Sequence, residues 1–285
     1  MKGTSTMVMV VFGATGNIGR PVAAGLRAAG HEVRVTTRDP GSAAFPPGWH
    51  VVAADLLRPE TLPAALEGAD GVFVYAVEEG AREFARAAEK AGVRHVVLLS
   101  SEAVTHEGAE DSPIARQHRT VEVALEESTL DWTFLRPGLL ATNTRWCWQR
   151  PIREADRVRL PYPGAHTAPV HEDDLAALAV TALTRPGHER RAYRVLGPES
   201  LTLAEQIQHV AEARGRAITV EHVTPDEARA ELGAMMPEVA VEAMLAHWAA
   251  QDGRRAEIST VVEEVTGRPG RTFAEWAADH AADFL

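Results

Sequence analysis

The sequence predicts an α/β protein in which helices cover both faces of a doubly wound parallel sheet. Short apolar segments rich in β-branched residues alternate with segments of helical spacing through the first half of the chain, as in strands joined by crossover helices. The first apolar segment, residues 7–12, leads into a turn with glycines at positions 13, 16 and 19. Beyond about residue 140 the alternation ends. We therefore expect a Rossmann-type core at residues 1–140 and smaller, mostly helical substrate-side structure at residues 141–285, partly interleaved with the core.

The turn after the first strand is typical of a dinucleotide-binding site. Gly13 allows the tight turn, Gly16 lets the backbone approach a pyrophosphate, and Gly19 lets the next helix pack closely on the strand. The first N–H groups of that helix would then face the phosphates. Such a turn can also serve only to pack a helix on a sheet, but the strand before it and the helix after it favour a cofactor site.

The other elements of the core follow in order along the chain. Strands are expected at residues 31–37, 51–56, 72–76, 93–101 and 131–136. Helices are expected at residues 17–30, 59–66, 79–91 and 113–127. Ligands of such sheets bind at the carboxyl ends of the strands. One crevice should therefore collect Asp55, Tyr75, Ala76, Ser100, Ser101, Pro137 and Gly138.

The second half of the chain is less regular. Residues 146–148 and the proline-rich residues 160–164 predict irregular structure over the sheet, whereas residues 173–183 predict a helix and residues 193–197 a short strand. In an S/T-x-x-E sequence the hydroxyl and the carboxylate satisfy N–H groups at a helix start. Such pairs predict three more helices, at Thr202 with Glu205, Thr224 with Glu227 and Thr272 with Glu275.

The end of the second strand indicates which dinucleotide binds. An acidic residue about twenty residues past the glycines would hold the ribose 2′-hydroxyl of NAD, but Thr36, Thr37 and Arg38 occupy that place. A guanidinium binds a 2′-phosphate through charge-assisted hydrogen bonds, whereas an acid repels it. NADP(H) is therefore the expected cofactor. The alternative is that Asp39 holds the ribose and Arg38 is a solvated loop residue.

The composition fits a soluble globular protein and argues against several partners. The formal net charge of -11 disfavours nucleic acid and anionic membrane surfaces, because both need a basic footprint. No apolar run approaches the ~20 residues that span a bilayer, and the polar start at residues 1–6 is not followed by a signal-peptide core. We expect a cytoplasmic monomer or homodimer.

The remaining reactive side chains predict neither a disulfide nor a metal site. Cys147 is the single cysteine, so no internal disulfide can form, and it is expected to be buried and unreactive. His166 and His171 have no accompanying pattern of cysteines or acids that suits zinc. No metal is therefore expected.

Five segments spread along nearly the whole chain carry a family resemblance. They are the glycine turn at 13–19, Ala-Asp-Leu at 54–56, Leu-Leu-Ser-Ser at 98–101, Asp-Trp-Thr-Phe-Leu-Arg-Pro-Gly at 131–138 and Pro-Val-His-Glu-Asp-Asp-Leu-Ala at 169–176. Together they resemble the NmrA-like group of atypical short-chain dehydrogenase/reductases. The resemblance implies either an NADPH-using reductase of quinones, dyes or phenolics, or a regulator that binds the dinucleotide without turnover.

The resemblance also implies roles for individual residues. The cofactor contacts would be Thr15, Gly16, Asn17 and Ile18 at the pyrophosphate, Arg38 at the 2′-phosphate, Asp55 and Leu56 at the adenine, Tyr75, Ala76 and Val77 at the ribose, Pro137 and Gly138 at the nicotinamide, and in addition Gly13, Ser100 and His118. The substrate contacts would be Glu102, Leu140, Asn143 and Trp146. Trp146 and Trp148 would stack on a planar ligand or fill space beneath the helical region.

One departure from the family pattern bears on mechanism. Ordinary short-chain dehydrogenases carry Tyr-x-x-x-Lys, but the equivalent helix here has Ile114 and His118 at those positions. His118 with Glu122 resembles the His-x-x-x-Glu of the quinone and dye reductases. An acceptor that spreads the incoming charge needs less help from an acid, and positioning supplies much of its rate. His118 is the candidate proton donor, with Ser101 polarising the acceptor, or it only bonds the cofactor ribose.

Three functions are compatible with these features. The first is an NADPH-dependent oxidoreductase that passes hydride to a planar, quinone-like or aromatic polyketide-like acceptor. The second is a non-catalytic dinucleotide sensor that binds a protein partner. The third is a biosynthetic enzyme of this fold that carries out non-redox chemistry.

Overall fold

The computed structural model describes residues 6–43, 45–234 and 236–285, so most of the polar start, residues 1–5, lies outside the described residues. The chain divides into two units. The first holds the chain up to Gly138 together with Glu172–Val195 and Val261–Arg268. The second holds Leu139–His171, Leu196–Thr260 and Pro269–Leu285.

The secondary structure alternates as expected through the first half. The strands are β1 Val8–Val11, β2 Glu32–Thr37, β3 His50–Ala53, β4 Gly71–Tyr75, β5 His95–Leu99, β6 Asp131–Pro137, β7 Arg157–Leu160, β8 His166–Thr167, β9 Arg191–Val195, β10 Leu201–Thr202 and β11 Thr219–His222. The helices are α1 Gly19–Ala28, α2 Leu62–Leu66, α3 Ala81–Ala91, α4 Pro113–Glu126, α5 Thr144–Ala155, α6 Glu172–Thr184, α7 Leu203–Arg214, α8 Pro225–Leu232, α9 Glu238–Gln251, α10 Val261–Thr266 and α11 Phe273–Asp279. Single 3-10 turns lie at Pro59–Thr61, Glu102–Thr105, Ala109–Asp111, Ala141–Asn143 and Ala281–Phe284.

A seven-stranded sheet forms the first unit, in the order β3-β2-β1-β4-β5-β6-β9. Each neighbouring pair is parallel, which confirms the predicted doubly wound sheet. Its central strands β1, β4 and β5 are nearly continuous apolar runs, as expected where helices cover both faces of a sheet. The sequence order changes direction between β1 and β4, so the carboxyl ends of these two strands flank the expected ligand crevice.

One layer of the core lies between the sheet and helices α2, α3 and α4. Phe12 of this layer packs edge to face with Phe84 of α3, at 5.7 Å between ring centroids. Val121 and Leu125 of α4 are buried in the same cluster. This packing fixes α4 against the sheet along its apolar stripe.

The strand after α6 belongs to the main sheet, a placement that the sequence does not predict. The predicted short strand is β9, which pairs with β6 as the last strand of the main sheet. The predicted helix is α6, one residue longer at each end. Both segments belong to the first unit although they lie beyond residue 140.

The second unit holds five of the helices and two small sheets. β7 pairs with β11 in parallel and β8 with β10 in antiparallel orientation. Thr202, Thr224 and Thr272 each cap a helix, and in each capping box the predicted glutamate bonds back to the threonine N–H. All three helix starts are therefore confirmed.

The prediction of irregular structure at residues 146–148 is wrong, because these residues lie within α5. Its buried residues Thr144, Trp148 and Ile152 recur every four positions, which is the spacing of one helix face. The proline at 151 lies inside the helix and hides this periodicity, since proline usually ends one. Among the described residues, no helix has both the length and the apolar character to cross a bilayer.

Candidate functional site

The glycine turn has the geometry expected of a phosphate cradle. Gly13 has a left-handed φ of +71°, and its carbonyl accepts a hydrogen bond from the N–H of Gly16 over 2.9 Å. A Cβ on Gly19 would clash with the carbonyl oxygen of Gly13, so the close helix packing predicted for Gly19 is confirmed. Thr15, Gly16 and Asn17 are exposed, whereas Ile18 is buried.

Helix α1 begins at Gly19, and its first turn contains no acidic residue. The first N–H groups of a helix have no partner within it, and they carry the positive end of its dipole. An anion placed over the exposed turn would therefore meet backbone donors and no opposing side-chain charge. The residues present fit a pyrophosphate.

Tyr75, at the end of β4, lies directly on the glycine turn. A Cβ added to Gly13 would come within 3.0 Å of Cδ1 of the Tyr75 ring, so the turn needs glycine for its space as well as for its φ. Burial raises the pKa of the Tyr75 phenol, while nearby Arg38 lowers it and Asp55 raises it. The structure thus brings together three residues that the sequence placed at the ends of separate strands.

Arg38 follows β2 and is exposed. Among the residues that the structure describes, no hydrogen bond or ion pair involves its guanidinium. The Asp39 carboxylate is instead occupied in a local turn, where Oδ1 accepts the N–H of Gly41 over 2.9 Å. The cation at this position is available to a ligand, whereas the neighbouring acid is partly committed to the loop.

The turn after β3 is held by Asp55 itself. Its carboxylate accepts the N–H of Leu57 over 3.0 Å, and its own N–H donates to Oγ1 of Thr61 over 3.0 Å. Leu56 is buried beneath, and a Cβ on Gly80 would clash with the Leu56 carbonyl. Sequence reasoning missed Gly80, although a glycine directly before a helix is a recognisable sign of close backbone approach.

A buried carboxylate links the ends of β5 and β6. Glu122 of α4 is fully buried, and its Oε1 accepts from Oγ of Ser100 over 2.7 Å and from Nε of Arg136 over 2.8 Å. Nη2 of Arg136 donates to the other oxygen over 2.8 Å. The hydrogen bonds of Glu122 thus go to Ser100 and Arg136. A lone arginine in the apolar sixth strand is the signal that could have revealed this network.

Ser101 and Glu102 follow β5 and face different partners. Oγ of Ser101 accepts the N–H of Ala103 over 3.2 Å, which leaves its hydroxyl hydrogen free to donate. The carboxylate of Glu102 accepts from Nε of Arg194 over 2.7 Å. The Glu102 carboxylate therefore already has a partner, Arg194 of β9. Its contact with a substrate stays a prediction.

Helix α4 carries the residues that replace Tyr and Lys. Nδ1 of His118 lies 2.8 Å from the carbonyl oxygen of Ile114, which can only accept, so Nδ1 carries a proton in this arrangement. The Ile114 side chain is 56% exposed. Gln117 donates from Nε2 to the carbonyl of Ala76 over 3.2 Å, a link from α4 to the end of β4 that sequence reasoning missed.

The last predicted contacts fall in both units. Pro137 is buried at the end of β6, and the N–H of Gly138 donates to the Val195 carbonyl over 3.0 Å. Val77 is half-buried after β4. The residues Leu140, Asn143 and Trp146 lie in the second unit.

Two of these second-unit residues have features that suit a contact. Oδ1 of Asn143 is buried without a hydrogen-bond partner among the described residues, and the Trp146 side chain is 71% exposed. Next to Trp146, burial raises the pKa of the Cys147 thiol to about 11, which disfavours the reactive thiolate near neutral pH.

Comparison with known proteins identifies the family. Residues 13–186 match the family model described as NAD(P)H-binding. The chain is 41% identical over 97% of its length to a (4-alkanoyl-5-oxo-2,5-dihydrofuran-3-yl)methyl phosphate reductase of Streptomyces griseus subsp. griseus, of which 99% is covered. It is 37% identical over 97% of its length to an NAD(P)H azoreductase of Xenophilus azovorans, again with 99% covered.

The fold also matches a solved structure closely. The triphenylmethane reductase of Citrobacter sp. aligns with a TM-score of 0.80 at 23% identity, over 96% of this chain and 99% of that one. At this identity the likeness concerns the fold, and it confirms the Rossmann-type architecture. The chain therefore belongs to the NAD(P)H-binding family and is an NAD(P)H-dependent reductase.

Proposed function

We propose that this protein uses NADPH to reduce a planar, electron-poor conjugated acceptor. The observation that carries the proposal is the unpaired guanidinium of Arg38 at the end of β2, next to Tyr75 and the glycine turn. A free cation at this place suits a 2′-phosphate through charge-assisted hydrogen bonds. The competing residue, Asp39, has a carboxylate oxygen engaged with Gly41, which favours NADPH over NADH.

The other cofactor contacts follow the carboxyl edge of the sheet. The glycine turn would hold the pyrophosphate through the N–H groups at the start of α1. Asp55 and Leu56 would border the adenine, and Tyr75, Ala76 and Val77 the adenosine ribose. Ser100, Pro137 and Gly138 would complete the nicotinamide side with His118. When bound, NADPH supplies the hydride.

The acceptor is expected to spread the charge that it receives. Ile114 stands where the proton-donating tyrosine of ordinary short-chain dehydrogenases would be, so the acceptor must need less help from a proton donor than a simple ketone does. The two relatives fit this expectation: the name of one describes a ring double bond conjugated with two carbonyls, and the other is named an azoreductase. In both kinds of compound the electron pair displaced by hydride moves onto electronegative atoms. We therefore place acyl-substituted unsaturated lactones first among acceptors, with azo compounds and quinones next.

The chain's own residues then complete the reduction. The Ser101 hydroxyl hydrogen polarises an acceptor oxygen, since its own oxygen is already used by the Ala103 N–H. Nε2 of protonated His118 delivers the proton, while Nδ1 stays on the Ile114 carbonyl and fixes the ring. The exposed Ile114 side chain presents an apolar surface to the ring of the acceptor.

The test is a binding titration followed by turnover measurements. Fluorescence titration gives the Kd values for NADPH and NADH, and loss of NADPH absorbance reports reduction of an acyl unsaturated lactone phosphate, a quinone and an azo dye. Tighter NADPH binding with consumption on at least one acceptor is expected. Binding without consumption would favour the sensor function, and absence of binding would contradict the proposal.

A further inference from the structure

The Glu122 carboxylate is fully buried beside the carboxyl ends of β5 and β6. Arg136 donates a hydrogen bond to each of its oxygens, and Ser100 donates to Oε1. Nη1 of Arg119 donates to Oε2 over 3.2 Å. A carboxylate beside two guanidinium groups is an acceptor only. Ser100 after β5, Arg136 of β6 and Arg119 of α4 therefore all donate hydrogen bonds to this one carboxylate.

The three anchored elements are those that the proposed function places around the nicotinamide. Ser100 directly follows β5, Arg136 directly precedes Pro137 and Gly138, and Glu122 lies one helical turn after His118. The backbone N–H of Ser100 also bonds the Leu135 carbonyl over 2.7 Å. Glu122 thus ties the helix that bears the proposed proton donor to the strand that ends beside the nicotinamide.

Stability alone does not account for such a pair. A buried ion pair recovers little more than the cost of removing its charges from water, and apolar residues of similar volume often serve as well. What the pair does supply is a fixed geometry, since a two-point contact between arginine and carboxylate allows one mutual orientation. The turn of α4 before Glu122 has a second tether, from Gln117 to Ala76.

We propose that Glu122, held by Arg136, is a positioning residue that sets the distance between His118 and the nicotinamide loop at Pro137 and Gly138. This inference rests on the proposed function, because it assigns Glu122 an effect that passes through His118. Loss of the ion pair between Glu122 and Arg136 should slow turnover more than it weakens cofactor binding, since small displacements of a reacting group lower rates steeply.

The experiment is a double-mutant cycle between Glu122→Gln and His118→Ala. We expect Glu122→Gln to lower kcat about tenfold or more with the best acceptor, with less than a threefold change in the NADPH Kd measured by fluorescence. The double variant should be no slower than His118→Ala alone, because Glu122 acts through the missing imidazole. A purely structural role would give additive losses in kcat together with weaker NADPH binding.

The matched control is Glu126→Gln on the same helix. Glu126 pairs with Arg119 at 2.8 Å and makes no contact with Ser100 or Arg136, so kcat should stay unchanged. Thermal unfolding checks each variant. If Glu122→Gln does not fold, Arg136→Lys takes its place, because lysine keeps the charge and loses the two-point grip.

The outcomes separate this inference from the proposed function. If His118→Ala turns over like the unmodified protein, the proton-donor role in the proposed function is wrong and the positioning role is wrong with it. If His118→Ala is slow while Glu122→Gln is unchanged or additive, only the positioning role is overturned.

Discussion

The glycine turn and helix α4 lie at the same edge of the sheet but are held in place by different means. The turn depends on backbone geometry within seven residues, Gly13 to Gly19, where a side chain would clash. Helix α4 depends on side-chain bonds to distant residues, with Gln117 reaching Ala76 and Glu122 reaching Ser100 and Arg136. The comparison teaches that the turn proposed to bind phosphate is shaped locally, whereas the region proposed to carry out the chemistry is assembled from three elements.

The largest effect is expected from a substitution in the glycine turn. In Gly19→Val the new side chain clashes with the Gly13 carbonyl, and overpacking of this kind costs about 1–3 kcal/mol of folding free energy. The displaced turn should lose a comparable free energy of cofactor contact, so NADPH binding should fall about 5- to 150-fold, because each 1.4 kcal/mol is roughly tenfold. Fluorescence titration and thermal unfolding measure both effects.

The control for Gly19 is Gly68→Ala. Gly68 has a positive φ of +66°, and a Cβ there meets nothing within 4 Å. Stability should fall by about 1 kcal/mol from the left-handed backbone alone, with an unchanged NADPH Kd. Equal loss of binding in the two variants would contradict the role of the turn.

The second prediction concerns the cation beside the turn. Arg38→Ala should weaken NADPH binding about 10- to 100-fold, because hydrogen bonds to charged groups contribute ~1.5–3 kcal/mol. NADH binding should change little, since it has no 2′-phosphate. Arg58→Ala serves as a control, because Arg58 is exposed and its guanidinium pairs, among the described residues, with Glu60 alone. A parallel loss for both cofactors would refute the 2′-phosphate assignment.

The third prediction tests the side-chain hydrogen bonds that hold helix α4 in place. Gln117→Ala removes the hydrogen bond to the Ala76 carbonyl, and a bond of this kind contributes ~0.5–1.5 kcal/mol. The NADPH Kd should rise about two- to tenfold, with a comparable decrease in kcat. Gln117→Glu, which cannot donate to a carbonyl, should behave like the alanine variant; wild-type behaviour of Gln117→Glu would count against the bond.

The smallest effect concerns the pKa of the Tyr75 phenol, because its ring lies beside both the glycine turn and Arg38. Burial raises its pKa and Arg38 opposes this, so Arg38→Ala should raise the pKa further. A folded-state pKa above the unfolded value means that the neutral phenol's contribution to stability is complete below about pH 10 and is lost as pH rises through the folded pKa. Ultraviolet titration of tyrosinate, with Tyr75→Phe subtracted, measures the shift. An unchanged pKa in Arg38→Ala would show that the two groups do not interact.

The same contrast explains what the sequence predicted. The sheet, the glycine turn and the three capping boxes follow from rules that act over a few residues, and the structure confirms them. The lone arginine of β6 is the sequence signal for the partners of Glu122, but it does not name the carboxylate, because Ser100 and Arg136 reach Glu122 only through tertiary packing. Helix α5 was misjudged since Pro151 conceals the four-residue spacing of Trp148 and Ile152.

The hydrogen bond from Gln117 to the Ala76 carbonyl has a consequence for the order of events in turnover. Ala76 is proposed to border the cofactor ribose, so a dinucleotide seated there would stiffen α4 through one hydrogen bond before any acceptor arrives. We therefore expect a compulsory sequence in which NADPH enters first and NADP leaves last. Product inhibition by NADP that is competitive with NADPH and mixed against the acceptor would be the kinetic sign of that sequence, and competition of NADP with both would exclude it.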